Sequence, residues 1–391
     1  MKQTAIILLF VLCAIAGCAA QTVEDVVRQA EQNSSLLSAW KEQYEADRIG
    51  NRTGILPENP EVEYHYLWGS PATTGNRQDF SATQRFDFPT AYRYRRKVAD
   101  GKDRQADLRY RSARGALLLE VRRQAIAWIY YRDMLNAYAS RLADVQEIAE
   151  AYRAGADRGD VSLPEYNRAK INLLNVQKEI NLLEMAQRQT CAEMVRLNGG
   201  KDVSLPGGYS PAPLPPDFEQ WYAGAQAGNV SILYLQQAAA VDREQVKLQR
   251  SLNLPEISVG YMSERVLTEQ FRGIVVGVSV PLWEGRNTVR RARAQAVASR
   301  TLEEDAQMRA RNEAKALYEK AKSLLEVLTA YKKELRAANS MALLKKALDA
   351  GEISLIEYIA ESGIYYETAD YVRNTERDYQ LAMAELCMWE L

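Results

Sequence analysis

The chain has 391 residues, of which 47% are hydrophobic and 26% charged, with 22 Tyr beside 6 Phe. This mixture is typical of long amphipathic helices rather than of a thick globular core. The formal net charge of −1 offers no basic excess for a phosphate backbone, so nucleic acid is excluded as a main partner.

The N-terminus has the composition of a secretory leader. The unbroken apolar run Ala5–Ile15 is too short to span a membrane permanently, and we predict a signal peptide over residues 1–17. The run ends Ile15-Ala16-Gly17-Cys18, which resembles the cleavage box of bacterial lipoproteins and would make Cys18 the lipidated first residue. Cleavage after Ala20 remains the alternative.

The mature chain begins with a helix, a hairpin and a very long helix. Helical periodicity extends from Thr22 to about Gly54. Strict alternation over about 61–88 then predicts two strands, each with one apolar face. Beyond Pro89 a helical pattern continues for roughly 64 residues, about 95 Å at 1.5 Å per residue, and returns after Tyr166. Heptad spacing on both arms predicts an antiparallel coiled coil.

The same order of elements then recurs. Residues 199–217 gather Gly and Pro and predict an irregular linker. A second helix follows, then a hairpin over about 256–280, then a second long helix and its return. Pro281 follows the second hairpin as Pro89 follows the first, and the two prolines are 192 residues apart (281 minus 89). We therefore divide the mature chain into two tandem repeats, residues 18–198 and 218–391.

A repeated octapeptide marks the turn after each long helix. Residues 159–166, GDVSLPEY, match residues 351–358, GEISLIEY. Ser162 with Glu165, and Ser354 with Glu357, have the spacing of a capping box at a helix start. Each copy therefore predicts the tip of a helical hairpin, at about 154–164 and about 349–355.

The strands carry a physical problem that an isolated chain leaves open. Four strands with aromatic apolar faces cannot bury those faces alone and leave two unpaired edges. Closure into a membrane barrel removes the edges but needs about eight strands, so several chains must contribute. A small soluble β-subdomain packed on helices is the alternative. Basic and aromatic residues after each hairpin, such as Arg93 and Trp283, fit a membrane interface or a solvated helix face.

The sequence carries paired prolines, Pro89 and Pro281, and paired tips at Gly159–Tyr166 and Gly351–Tyr358. With these features it resembles the TolC family of outer-membrane efflux proteins over essentially the whole mature chain. The resemblance implies a mainly α fold with a small membrane β part. Three chains would form a twelve-stranded β-barrel continuous with a periplasmic α-helical barrel. It also implies a homotrimer in the outer-membrane lipid that exports cargo passively, with a periplasmic adaptor at the tips and an inner-membrane pump. With a lipid on Cys18 the protein would resemble the branch of this family that is paired with resistance–nodulation–division (RND) pumps, including the CusC- and CzcC-like metal exporters.

The tips supply the candidate site residues. We predict that the adaptor contacts Gly159, Asp160, Val161, Ser162, Leu163, Gly351, Glu352, Ile353, Ser354 and Leu355. The two apolar residues beside each Gly are expected to be exposed. Asp157, Asp160, Asp349 and Glu352 would form acidic rings at the inner mouth of a trimer; solvated acids that offset a helix dipole are the alternative.

The sequence carries no motif for catalysis. His65 is the single histidine, and we find no His/Cys cluster, phosphate loop or catalytic dyad. We therefore expect no enzyme activity, no cofactor and no metal site, with Cys191 and Cys387 as unpaired thiols. A type I secretion exit duct and a periplasmic coiled-coil scaffold without a pore remain alternative functions, and the cargo is undetermined.

Overall fold

The computed structural model of the protein describes residues 22–203, 206–210, 213–283, 285–337 and 341–390. The signal peptide and Cys18 lie outside the described residues. The helices are α1 (Val23–Asn33), α2 (Ser35–Asn51), α3 (Pro89–Arg158), α4 (Leu163–Leu197), α5 (Phe218–Gly228), α6 (Val230–Leu252), α7 (Thr288–Ala337), α8 (Met341–Asp349) and α9 (Leu355–Cys387). The strands are β1 (Glu61–Leu67), β2 (Arg77–Phe86), β3 (Glu256–Val266) and β4 (Glu269–Ser279).

The predicted fold class, mainly helical with a small β part, is confirmed. Both hairpins, both long helices and both returns form where the periodicity placed them. The first helical segment differs: it is two helices separated at Ser34, whose backbone is extended (φ −62°, ψ 117°). Ser34 is buried, and its hydroxyl accepts a hydrogen bond from the N–H of Leu37. The second long helix is described as α7 and α8, on either side of residues 338–340, which lie outside the described residues.

The chain divides into two compact units. Of the described residues, a helical unit takes those up to Ser38, those in Ala113–Gly228 and those from Asn312 onward. A mixed unit takes Ala39–Ser112 and Asn229–Arg311, and so contains all four strands. In the described part of the chain, none of the helices contains a stretch long and apolar enough to cross a bilayer.

The mixed unit is built on one antiparallel sheet in the order β1-β2-β3-β4. Each hairpin pairs within itself, and β2 of the first repeat pairs with β3 of the second from Phe86 opposite Ile257 to Arg77 opposite Val266. The sheet therefore joins the two repeats. β1 and β4 are its two outer strands, and neither has a second neighbour within the described residues.

Two apolar clusters of described residues lie in the helical unit. One gathers Phe218 and Tyr222 of α5 with Tyr318 of α7 and Tyr379 of α9. The other joins α3, α4 and α9 near the two tips, through residues such as Ile148. Described parts of the linker are irregular, yet they are held to helices, because the Tyr318 hydroxyl donates to the carbonyl of Pro215 (2.8 Å).

Candidate functional sites

At each predicted tip, one helix ends at a glycine and the next helix starts with a capping serine. At the first tip the N–H of Asp160 donates to the carbonyl of Gly155 (2.9 Å) and that of Gly159 to the carbonyl of Ala156 (3.1 Å). Gly351 and Glu352 repeat both bonds at the second tip. This pair of bonds is the Schellman ending, which needs a left-handed residue at the glycine position. Gly159 has φ +82° and Gly351 has φ +73°, so both glycines are required by the turn.

The helix that follows each glycine starts with a reciprocal capping box. Ser162 Oγ accepts from the N–H of Glu165, and the Glu165 carboxylate accepts from the N–H of Ser162 (3.0 Å). Ser354 and Glu357 make the same pair of bonds (2.8 Å for the return bond). These bonds lower the pKa of both carboxyls: Glu165 chiefly through the Ser162 side chain, and Glu357 chiefly through the backbone N–H of Ser354.

The two tips differ in what they expose, although their sequences match. Leu163 is 65% exposed, whereas its counterpart Leu355 is 2% exposed and packs in the cluster with Ile148 and Tyr358. Val161 and Ile353 are half-buried. The expectation of two exposed apolar residues beside each glycine is therefore wrong. At the first tip only Leu163 is exposed. At the second tip neither apolar residue is exposed, and Leu355 is buried because it packs against α3.

The four acidic residues lie at the tips, and all four are exposed. Asp157 lies in the last turn of α3, and Asp349 is the last residue of α8. A negative charge at a helix C-terminus faces the negative end of the dipole. Dipole compensation therefore does not explain Asp157 and Asp349. Asp160 forms an exposed ion pair with Arg158 (2.9 Å).

One lysine ties the second tip to the first repeat. Lys345 of α8 forms ion pairs with Glu147 (2.6 Å) and Asp144 (3.5 Å) of α3. The hydrogen bond to Glu147 is the first cause of the raised pKa of Lys345. The two tips are thereby held side by side within the helical unit.

The sheet presents one continuous apolar face. Residues directly opposite one another in the register share a face, and the following apolar side chains fall on one of them: Val62, Tyr64, Phe80, Ala82, Phe86, Ile257, Val259, Tyr261, Ile274, Val276 and Val278. No described residue covers this face, and Ile274 is 80% exposed. Three polar residues share these rows: Ser263 and Arg272 in the end row of Phe80, and Gln84 nearer the middle. The side-chain amide of Gln84 donates to the carbonyls of Glu58 and Arg85 (2.7 and 2.9 Å), which satisfies its N–H groups.

The opposite face of the sheet is polar and charged. Arg85 pairs with Glu61 (3.0 Å), and Arg77 pairs with Asp79 (2.9 Å) and Glu264 (3.3 Å). His65 lies on this face, opposite Asp79. Among the described residues, no group of three or more His, Cys, Asp and Glu side chains is placed to hold a metal ion. Cys191 and Cys387 form no disulfide in the described part of the chain.

Sequence reasoning missed a buried charge in the helical unit. The Arg141 side chain of α3 is 6% exposed and forms a two-pronged ion pair with Asp370 of α9 (2.7 Å for one prong). Its guanidinium lies 4.3 Å from the ring centroids of both Tyr138 and Tyr366. The two partners of the ion pair are 229 residues apart, so no local pattern could have paired them.

Three solved membrane proteins share this fold over nearly its whole length. The CmeC outer membrane channel of Campylobacter jejuni has 14% identity and a TM-score of 0.76, covering 95% of this chain and 86% of that one. A Pseudomonas aeruginosa membrane protein has 14% identity and a TM-score of 0.80, covering 94% and 92%. CusC has 12% identity and a TM-score of 0.71, covering 95% and 92%. No curated protein matches this chain in sequence.

These features define a TolC-like outer-membrane channel fold: a sheet with one uncovered apolar face, long paired helices and two hairpin tips. Residues 72–200 match the family model of the outer membrane efflux proteins, and the described chain carries the fold of their channels from end to end. The resemblance predicted from the sequence is thus confirmed, and with it a place in the outer membrane and periplasm.

Proposed function

We propose that three copies of this chain assemble into the exit duct of a tripartite efflux system. The observation that carries the proposal is the uncovered apolar face of the sheet between two unpaired outer strands. Pairing β1 of one copy with β4 of the next would remove every edge, and three copies would supply twelve strands. The polar face, which carries His65 and the ion pairs of Arg77 and Arg85, would then line the lumen.

The dimensions of the apolar face support a membrane position. From Phe80 to Phe86, the last residue of β2, the chain advances six residues, about 20 Å along the strand. A tilt of about 40° gives a height of about 15 Å, which fits within the apolar band of about 25 Å of outer-membrane barrels. Leu282 and Trp283 follow β4 and are more than 70% exposed, as expected of an interfacial anchor.

The tips are the proposed docking points for a periplasmic adaptor, which would join the duct to an inner-membrane pump, of RND type by resemblance. Leu163, exposed beside Gly159, is the residue that a partner would bury first. A matched pair separates docking from folding. Leu163→Ser should weaken adaptor binding without loss of stability, whereas Leu355→Ser should lower stability by roughly 2–5 kcal/mol because that side chain is buried. Equal adaptor binding by Leu163→Ser and the unaltered protein would contradict the docking role.

The acidic tip residues are proposed to favour cations at the inner mouth. Asp157, Asp160, Asp349 and Glu352 would form rings of negative charge in a trimer. Neutralising Asp157 and Asp349, the two at helix C-termini, should reduce cation preference in single-channel recordings. Unchanged ion selectivity would refute the ring.

The function as a whole is tested in cells and in detergent. Trimers should be recovered from carbonate-washed outer membranes, and deletion should sensitise cells to at least one of copper, zinc, dyes or detergents. A lipid on Cys18 would add mass to the mature N-terminus. Carbonate-soluble monomers would favour the pore-free scaffold, whereas trimers without any change in sensitivity to these agents would favour a type I secretion duct.

A further inference from the structure

The return helix α4 carries apolar side chains on two opposite sides. One side is packed inward through residues such as Ala169 and Met194. On the other side Ile171, Leu174, Leu182 and Met185 are 49–65% exposed. At 100° per residue these four fall within an arc of about 80°, with Lys178 in the middle of it. We call these five residues the outer ridge. A helix with two apolar sides needs a second partner to cover the outer one.

A groove on the same unit matches the ridge in chemistry. It lies between α7, α8 and α9, has a volume of about 410 Å³, and is lined by Ala330, Tyr331, Glu334, Leu335, Leu344, Glu361, Ile364, Tyr365 and Thr368. We call it the α9 groove. Ile364 is 62% exposed within it. Neither Glu334 nor Glu361 forms an ion pair with another described residue, whereas the ion pair of Lys178 is with its exposed neighbour Glu179.

The ridge and the groove lie at the same level along the helices. A smaller cavity of the unit is lined by Asn175 and Glu179 of α4 and by Ser362 and Tyr366 of α9. The α4 and α9 residues around this cavity repeat the same spacing at an offset of 187 positions (362 minus 175, and 366 minus 179), and we use that offset to compare levels along the two helices. By that offset Lys178 is level with Tyr365, inside the groove.

We infer that the outer ridge of one copy docks in the α9 groove of a second copy, with Lys178 between Glu334 and Glu361. The inference rests on the proposed trimer and identifies its contact surface in the helical unit. A copy rotated about an axis parallel to the helices keeps every level unchanged, so ridge and groove meet in register. The contact is heterologous and closes into a ring when the rotations sum to a full turn.

The sheet supports the same pairing independently. The outer ridge belongs to the first repeat and the α9 groove to the second. The unpaired outer strand β1 also belongs to the first repeat, and β4 to the second. Both units therefore offer their first repeat to the second repeat of a neighbour. An adaptor helix is the alternative occupant of the groove. Its docking would not explain why both units offer the first repeat to the second repeat of a neighbour.

Disulfide trapping tests the register. Leu182→Cys combined with Thr368→Cys should give covalent dimers and trimers on a non-reducing gel after oxidation of whole membranes. The control combines Leu182→Cys with Glu361→Cys, seven residues lower on α9. This is about 10 Å away, beyond the roughly 7 Å that a disulfide bridges between Cα atoms, so no ladder should form. Each single variant and the unaltered protein, with Cys191 and Cys387 in place, set the background.

A charge exchange tests the chemistry. Lys178→Glu should lower the trimer fraction at least tenfold in dilute detergent, Lys178→Met should lower it less, and Lys178→Glu with Glu361→Lys should restore it. Two outcomes would refute the docking surface and leave the proposed duct standing. One is a ladder from the control pair. The other is an unaltered trimer fraction in Lys178→Glu together with no ladder from the first cysteine pair. Monomers of the unaltered protein would instead refute the duct itself. A ladder lost on adding purified adaptor would assign the groove to that partner.

Discussion

The most decisive prediction compares Val276 with Val275, neighbours on β4 that point to opposite faces of the sheet. Val276 lies opposite Val259, in the same cross-strand row as Gln84. Gln84 is four residues from Phe80 and two from Phe86, so Val276 is about 13 Å and about 7 Å along the strand from the two ends of the apolar face. If lipid covers this face, Val276 lies about 3 Å from its centre, near the midplane of the bilayer.

An arginine at that depth costs about 2–4 kcal/mol per chain in an outer-membrane barrel. Val276→Arg should therefore lower the folding equilibrium constant per chain roughly 30- to 700-fold, since each 1.4 kcal/mol is a factor of ten. Val275→Arg is the matched control. Val275 lies on the polar face opposite Gly260, where a long side chain has room and water, and it should change stability by less than about 0.5 kcal/mol.

The assay is equilibrium unfolding in urea of protein reconstituted in phospholipid vesicles, followed by tryptophan fluorescence. Gel mobility of unheated samples gives an independent measure of the folded fraction. Small and equal costs for the two arginines would mean that water covers both faces. A larger cost at Val275 would mean that the faces are assigned the wrong way round. Either result would refute the membrane position of the sheet.

Three further predictions concern the helical unit. Asp370→Asn should destabilise it by roughly 3–5 kcal/mol in chemical denaturation, because Arg141 would keep a buried charge without its carboxylate. The double variant Asp370→Leu with Arg141→Met should recover most of that loss. Equal losses in the two variants would contradict a stabilising role of the buried ion pair. Gly159→Val should cost roughly 1–2 kcal/mol through its left-handed φ alone, since a Cβ there meets no atom within 4 Å; Gly159→Asn should cost less in the same thermal melts, and equal costs would argue against backbone strain. Acidification should fray the first turn of α4, because the pKa of Glu165 is lower in the folded protein than in the unfolded chain. As pH falls, the unfolded chain binds the proton first. The stabilisation is therefore complete above the ordinary pKa near 4.5 and is lost as pH falls through the lowered pKa of the folded protein. Hydrogen exchange of that turn should be pH-dependent in this range, and Ser162→Ala should weaken the dependence without abolishing it, because the backbone N–H of residue 162 still donates to Glu165.

Sequence reasoning succeeded where the determining interactions are local. Alternation fixes the two faces of the hairpins, and a glycine with a capping serine three residues later fixes each tip. It failed where the partner is remote. The break at Ser34 has no Gly or Pro to announce it. It lies where Gly199 approaches the carbonyl of Asn33 so closely that a Cβ there would clash, a contact across 166 residues (199 minus 33).

The candidate sites divide in the same way. The positions and caps of the tip residues follow from the octapeptides. The different fates of Leu163 and Leu355 do not, because the two leucines occupy the same place in matching sequences. Their exposure is decided by packing of the second tip on α3 and by the ion pairs of Lys345. The outer ridge could have been found from the spacing of Ile171, Leu174 and Leu182, but its groove required the structure.

The pairing of β2 with β3 dictates an order of folding. Its nearest partners, Phe86 and Ile257, are 171 residues apart (257 minus 86), whereas β1 and β2 meet across 10 residues (Leu67 and Arg77). Closing the longer loop costs about 2.5 kcal/mol more in chain entropy, and contacts of such separation form slowly. The helical hairpins, closed by their own tips, should therefore form first. The two β-hairpins would meet last, so the apolar face of the sheet is completed only after the helices are in place. This order shortens the time during which the chain is prone to aggregation in the periplasm.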